Sequence, residues 1–154
     1  MAIRRLSANA ISEMVLEQTD IGGTNAQSIY VDMKGVDSVH FDITLGTTSG
    51  TSTGWDAADT LDTCRLYQAT SALGAGAKNL GTALTANDPS AAGEKYVLEA
   101  KAEDLDVENG FRYIACYVAE SGNTEVDNVT IHACRHNLTD CHENVDGAEV
   151  VQYV

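Results

Sequence analysis

The segment 108–120, ENGFRYIACYVAE, alternates between two sets of side chains along most of its length. One side carries aromatic and small residues, and the other carries mainly apolar residues: Phe111, Tyr113, Ala115, Tyr117 and Ala119 against Arg112, Ile114, Cys116 and Val118. Because successive side chains of a strand point to opposite faces, this spacing predicts a β-strand in an antiparallel sheet. Both faces contain apolar groups. We therefore expect one face to fill the core and the other to be covered by the chain's own loops or by a neighbouring subunit.

Several other segments have the composition and spacing of strands. They are 28–33, 36–45, 61–69, 95–101 and 125–136, with a short strand near 80–84 and a last one in the terminal VVQYV. In 36–45, the alternation predicts that Val39, Phe41, Ile43 and Leu45 face inward. A single helical turn is expected within 102–106. Turn residues at 121–124 predict that 111–120 and 125–136 pair as a hairpin.

Seven or eight strands, little helix and no internal repeat predict an all-β fold. The expected architecture is a single antiparallel β-sandwich, jelly-roll-like, with long loops rich in Gly, Ala, Ser and Thr. We expect an N-terminal arm and first turn over 1–27, which includes some helical spacing or a short strand, and one sandwich domain over 28–154.

The charge of the chain argues against one class of partner. The chain has 23 acidic and 9 basic residues, a net charge of −14, which argues against direct nucleic-acid binding through phosphate contacts. No apolar run approaches the roughly 18 residues of a membrane-spanning helix, and no signal peptide is recognised. Arg4 and Arg5 lie in the first 12 residues, which contain no acid. The uneven charge predicts a basic N-terminal arm attached to an acidic domain.

No catalytic constellation is recognised, so we expect neither an enzyme nor a cofactor. The densest group of metal-binding residue types is Cys134, His136, Cys141 and His142. Their spacing matches no common zinc finger, so we expect no metal, although a structural ion or a Cys134–Cys141 disulfide stays open. The glycine-rich 74–78 lacks phosphate-loop spacing, and the acids within 103–108 are expected to form a solvated turn.

Three segments share the order of strands and turns found in one family. VHFDITLG is followed by DTCRLYQATSALGAGAKNLG and later by VLEAKAEDLDVENGFRYIACYVAE. Over roughly residues 36–135, the chain resembles the capsid cement or decoration proteins of tailed bacteriophages. The resemblance implies a jelly-roll-like subunit that binds the outside of the capsid through the major capsid protein, commonly as a homotrimer. It implies a place in the virion, after assembly in the bacterial host cytoplasm.

The expected contacts follow from this interpretation. Capsid-docking candidates are Ile3, Arg4, Arg5 and Leu6, and interface candidates are Trp55, Phe111, Tyr113 and Tyr117. Either loop 46–60 or loop 70–94 is expected to contribute trimer or capsid contacts. Two alternatives stay open: a tail or connector protein of the virion, and a carbohydrate-binding β-sandwich with Trp55 as its platform.

Overall fold

A computed structural model describes residues 10–46, 61, 63–84, 95–120, 127–136 and 150–153. The strands among these residues are β1 Ala10–Asp20, β2 Asn25–Gln27, β3 Val31–Asp32, β4 Ser38–Leu45, β5 Thr63–Ala69, β6 Lys78–Leu84, β7 Lys95–Lys101, β8 Tyr113–Ala119, β9 Asn128–His136 and β10 Val150–Tyr153. Two single-turn 3-10 helices, Ala102–Asp104 and Val107–Asn109, precede β8. Within the described ranges, no helix is long and apolar enough to span a membrane.

The strands form two sheets. Sheet A has the order β1-β9-β4-β7-β10, and sheet B has the order β2-β8-β5-β6, with β3 also paired to β8. Every neighbouring pair is antiparallel except β10, which runs parallel to β7. The prediction of an all-β, mainly antiparallel two-sheet fold is therefore confirmed.

The core lies between the inner faces of the two sheets. In β4 the inward residues predicted from alternation, Val39, Phe41, Ile43 and Leu45, are all fully buried. The facing sheet B contributes Ile114, Cys116 and Val118 of β8, which are also fully buried and belong to the same hydrophobic cluster. The apolar face that fills the core is thus the Ile114 face of β8, so its tyrosines lie on the outer face.

The predicted hairpin between 111–120 and 125–136 is wrong. β8 lies in sheet B beside β5, whereas β9 lies in sheet A between β1 and β4. Apolar and polar side chains alternate along a strand in the same way whether its partner lies beside it in one sheet or faces it across the core. The sequence pattern was therefore compatible with both arrangements, and the turn residues at 121–124 favoured the wrong one.

The predicted strand 28–33 is divided in the structure. The Ser28 N–H donates to the Cys116 carbonyl at 2.9 Å, and Val31 pairs with Ile114. Three steps along this strand thus span two steps of β8, which is the geometry of a β-bulge. The Ser28 Oγ accepts a hydrogen bond from the Cys116 N–H at 3.0 Å and so replaces part of the interrupted ladder.

Part of the expected N-terminal arm is a strand of the sandwich. Ala10–Asp20 forms β1 at one edge of sheet A, paired with β9, and Asn25–Gln27 forms β2 of sheet B. Val15 is buried in the core. The sandwich therefore begins no later than Ala10.

Replacement of Phe41 tests the core. Because this ring is fully buried in a central strand, we expect Phe41→Ala to lower the free energy of unfolding by about 3–5 kcal/mol, through lost burial and a residual cavity. Urea denaturation measures the change. Thr44→Ala, on the outer side of the same strand, is the control and should cost about 1 kcal/mol or less. Equal losses in the two variants would contradict the assigned facing of β4.

Two core cysteines should be chemically inert. Cys64 and Cys116 lie on neighbouring strands and are fully buried. Burial raises the pKa of the Cys64 thiol to about 12 and also raises that of Cys116. Since the thiolate is the reactive form, we expect iodoacetamide to leave both residues unmodified at neutral pH until the chain unfolds. Peptide mapping by mass spectrometry measures this at each residue. Rapid labelling of either thiol in the folded chain would contradict the prediction.

Candidate interaction surface

The outer face of sheet B is rich in tyrosine. Register places Tyr113 and Tyr117 of β8 on this face together with Tyr67 of β5, which is opposite Ala115. Tyr30 directly precedes Val31, whose side chain is buried in the core, so Tyr30 also belongs to the outer side. Four of the six tyrosines of the chain thus share one face, and all four are half-buried. We call this surface the tyrosine face.

Two of the rings pack against each other. Tyr67 and Tyr117 make an edge-to-face contact with 5.7 Å between ring centroids. Ala115 lies beside Tyr67 in the ladder and is fully buried although it is on the outer face. The small side chain of Ala115 is thus enclosed by larger neighbours, and Tyr67 and Tyr117 restrict each other's position.

The loop after β5 covers part of this face. Gly74 has a φ of +79°, and a Cβ atom there would lie 2.8 Å from Cε2 of Tyr30. Because β8 separates β5 from β3 in the sheet, the loop and the Tyr30 ring meet over β8. The chain's own loop therefore provides part of the cover that we expected over the second face of β8.

A bidentate salt bridge lies at one edge of the tyrosine face. The Arg112 Nε and Nη2 donate to the two carboxylate oxygens of Asp32 at 2.7 and 2.5 Å, and Nη2 also donates to the Tyr113 hydroxyl at 3.0 Å. The guanidinium lies 5.0 Å from the centre of the Tyr113 ring. The hydrogen bonds from Arg112 hold the pKa of Asp32 below its usual value, so the carboxylate is charged at neutral pH.

A second arginine lies in the middle of the face. Arg65 is the ladder partner of Tyr117 and is half-buried. Its Nε is buried and has no hydrogen-bond partner within the described ranges. A buried donor without an acceptor costs free energy.

The sequence candidates divide into three groups. Tyr113 and Tyr117 share the tyrosine face, as expected from their spacing. Phe111 lies apart, before β8, with the Lys78 ammonium 4.2 Å from its ring centre and with Lys78 paired to Asp106. The remaining contact candidates lie outside the described residues: Ile3, Arg4, Arg5, Leu6 and Trp55.

Sequence reasoning missed Tyr30, Tyr67 and Arg65 as members of this surface. The alternation of TCRLYQA places Arg65 and Tyr67 on one face of β5 and Cys64 and Leu66 on the other. The sequence pattern therefore indicated that Arg65 and Tyr67 share a face. It could not show that β5 lies beside β8, because strand pairing depends on the whole fold.

The outer face of sheet A has a different chemistry. Cys134 and His136, two of the residues considered as metal ligands, lie there on β9, next to His40 of β4. Cys141 and His142 lie outside the described residues.

Comparison with protein-family models, with curated proteins and with solved structures finds no match to this chain.

Proposed function

We propose that the chain is a structural protein of a tailed-phage virion, which binds the outside of the capsid and stabilises it by bridging capsid subunits. The observation that carries the proposal is the tyrosine face, with its four half-buried rings and two arginines. Tyrosine and arginine dominate the residues that contribute most to protein–protein binding. A purely solvated sheet face would carry more charged and fewer aromatic side chains.

The order of strands supports a jelly roll as the finer description of the fold. A jelly roll has eight strands in two four-stranded sheets connected as Greek keys. The strands of a jelly roll, numbered along the chain, lie in the orders 1-8-3-6 and 2-7-4-5. If β2 and β3 are counted as one strand broken by the bulge, the same orders describe β1-β9-β4-β7 and β2/β3-β8-β5-β6. The parallel strand β10 is then an addition at the edge of sheet A.

An exposed leucine in the loop beside the tyrosine face fits an assembly role. Leu73, in the loop that follows β5, is 97 % exposed. A leucine this exposed gains from burial in a complex, at about 25 cal/mol for each Å² of apolar surface covered. The acidic charge of the chain, −14, disfavours its self-aggregation before assembly. We infer a homotrimer that contacts the major capsid protein, with the tyrosine face in one of these interfaces.

The tyrosine face can be tested by substitution. We expect Tyr117→Ala to weaken trimer formation or capsid binding by about 2 kcal/mol, or roughly 30-fold, because the central aromatic residues of an interface contribute most of its affinity. Sedimentation velocity measures the trimer, and co-sedimentation with purified capsids that lack the chain measures binding.

Thr130→Ala, on the outer face of sheet A, is the matched control and should leave both measurements unchanged. Circular dichroism and thermal unfolding confirm that each variant is folded, and Tyr117→Phe should retain most of the affinity. Full trimer formation and full capsid occupancy by a folded Tyr117→Ala protein would contradict the role of the face. The carbohydrate-binding alternative would be favoured if the wild-type chain were a monomer that does not bind capsids but binds a defined sugar on a glycan array.

The N-terminal arm is tested separately. We expect Arg4→Ala with Arg5→Ala to lower capsid affinity without dissolving the trimer, since two cations are removed from the docking segment and the sandwich, which begins by Ala10, is untouched. The loss should shrink as ionic strength rises, because salt screens exposed charges. Unchanged capsid occupancy after deletion of residues 1–6 would contradict docking by the arm.

A further inference from the structure

Three side chains of metal-binding type meet on the outer face of sheet A. His40 of β4 is the ladder partner of Cys134 of β9, and His136 is two residues further along β9 on the same face. All three are half-buried, and their ligand atoms lie within 4.8 Å of one another. Cys134 is present as a thiol. Cys134 and His136 are close in the sequence, and the fold brings His40 beside them from β4, which is far from β9 in the sequence.

The two imidazoles are already close to the spacing of ligands on one ion. The His136 Nε2 and the His40 Nδ1 are within hydrogen-bond distance at 2.9 Å, and the rings stack with 4.8 Å between centroids. A bound ion would replace the hydrogen bond between the two rings. Two nitrogens bound to a tetrahedral zinc ion at about 2.0–2.1 Å are about 3.3 Å apart. A movement of about half an ångström would thus admit an ion between these atoms.

A carboxylate lies beside His40 on the side that faces away from the cluster, beyond hydrogen-bond distance. If the His40 Nδ1 faces the ion, its Nε2 faces Asp42, whose carboxylate oxygen lies at 3.7 Å. A carboxylate behind a metal-bound imidazole fixes the tautomer and strengthens the ligand. Glu99 is opposite His40 on β7 and adds a second negative charge beside the site.

The His136 ring presents its Nε2 to His40 and holds its Nδ1 inside the protein. The His136 Nδ1 is buried and has no hydrogen-bond partner within the described residues, so a closed hydrogen-bond network does not account for this ring.

We propose that His40, Cys134 and His136 bind a zinc ion. Two imidazoles and one thiolate form a borderline-to-soft donor set, which favours Zn²⁺ over Mg²⁺ or Ca²⁺, since these prefer oxygen ligands. Water completes a four-coordinate site, and Asp42 positions His40. Because the three ligands come from the neighbouring strands β4 and β9, the ion links the middle of sheet A. The proposal does not depend on the capsid role.

Titration with Co²⁺ tests the site directly, because this ion occupies zinc sites and reports on its ligands by absorption. We expect one equivalent to bind the full-length chain, with visible bands of tetrahedral cobalt and a near-ultraviolet band of a cobalt–thiolate bond. One equivalent of Zn²⁺ should remove both signals. Zinc should also raise the Tm of the chain, since a ligand that binds the folded state stabilises it.

Variants assign the ligands. We expect His40→Gln, His136→Gln and Cys134→Ser each to weaken Zn²⁺ binding by about 100-fold or more, and Asp42→Asn to weaken it about tenfold. Cys134→Ser should also abolish the thiolate band. The matched control is His132→Gln, which changes another half-buried histidine on the same face of β9 and should leave affinity unchanged.

Several results would overturn the assignment. They are the absence of a thiolate band in the wild-type chain, a band that survives in Cys134→Ser, and an equal loss of affinity in His132→Gln and His40→Gln. Circular dichroism of the metal-free variants checks their folding. A further measurement needs no variant: bound Co²⁺ should shift the ring proton resonances of His40 and His136 in the wild-type chain far more than other resonances, and small, uniform shifts would contradict the site.

Discussion

The structure depends on the burial of one face of each sheet against the other. Alternating residues of β4 and β9 in sheet A, such as Phe41 and Ile131, are fully enclosed with alternating residues of β5 and β8 in sheet B, such as Leu66 and Ile114. Burial of this apolar surface is the main favourable term in folding. It also fixes register, because a shift by one residue would turn every inward side chain to solvent. The positions of the outward side chains follow from the same constraint.

The two outer faces consequently carry distinct chemistry on a rigid support. Sheet B presents tyrosines and arginines, of which Tyr67 and Tyr117 are locked in an edge-to-face contact. Sheet A presents the cluster of His40, Cys134 and His136. Paired strands already have an ordered backbone, so little further backbone ordering is needed when their side chains bind a partner, and this favours binding. The fold is therefore well suited to present one surface for protein contact and a separate one for an ion.

The alternation of side chains predicted strands, but it could not predict their partners. The inward residues of 36–45 were identified correctly because alternation is a property of a single segment. The hairpin of 111–120 with 125–136 was wrong because β8 and β9 line the same core from opposite sheets. The bulge between Ser28 and Val31 was also missed, since it depends on how this segment meets β8 and the backbone of β1, where the Ile29 N–H donates to the Val15 carbonyl.

The sequence by itself determined the all-β class, most strand positions and the set of residues available for chemistry, because these depend on local spacing and composition. It also revealed the two faces of 111–120, and hence that Tyr113 and Tyr117 lie together. Only the tertiary structure decided which face is enclosed and which residues join across strands. It brought Tyr67 to Tyr117 and His40 to Cys134, since such pairs depend on sheet order, and sheet order is set by the packing of the whole chain.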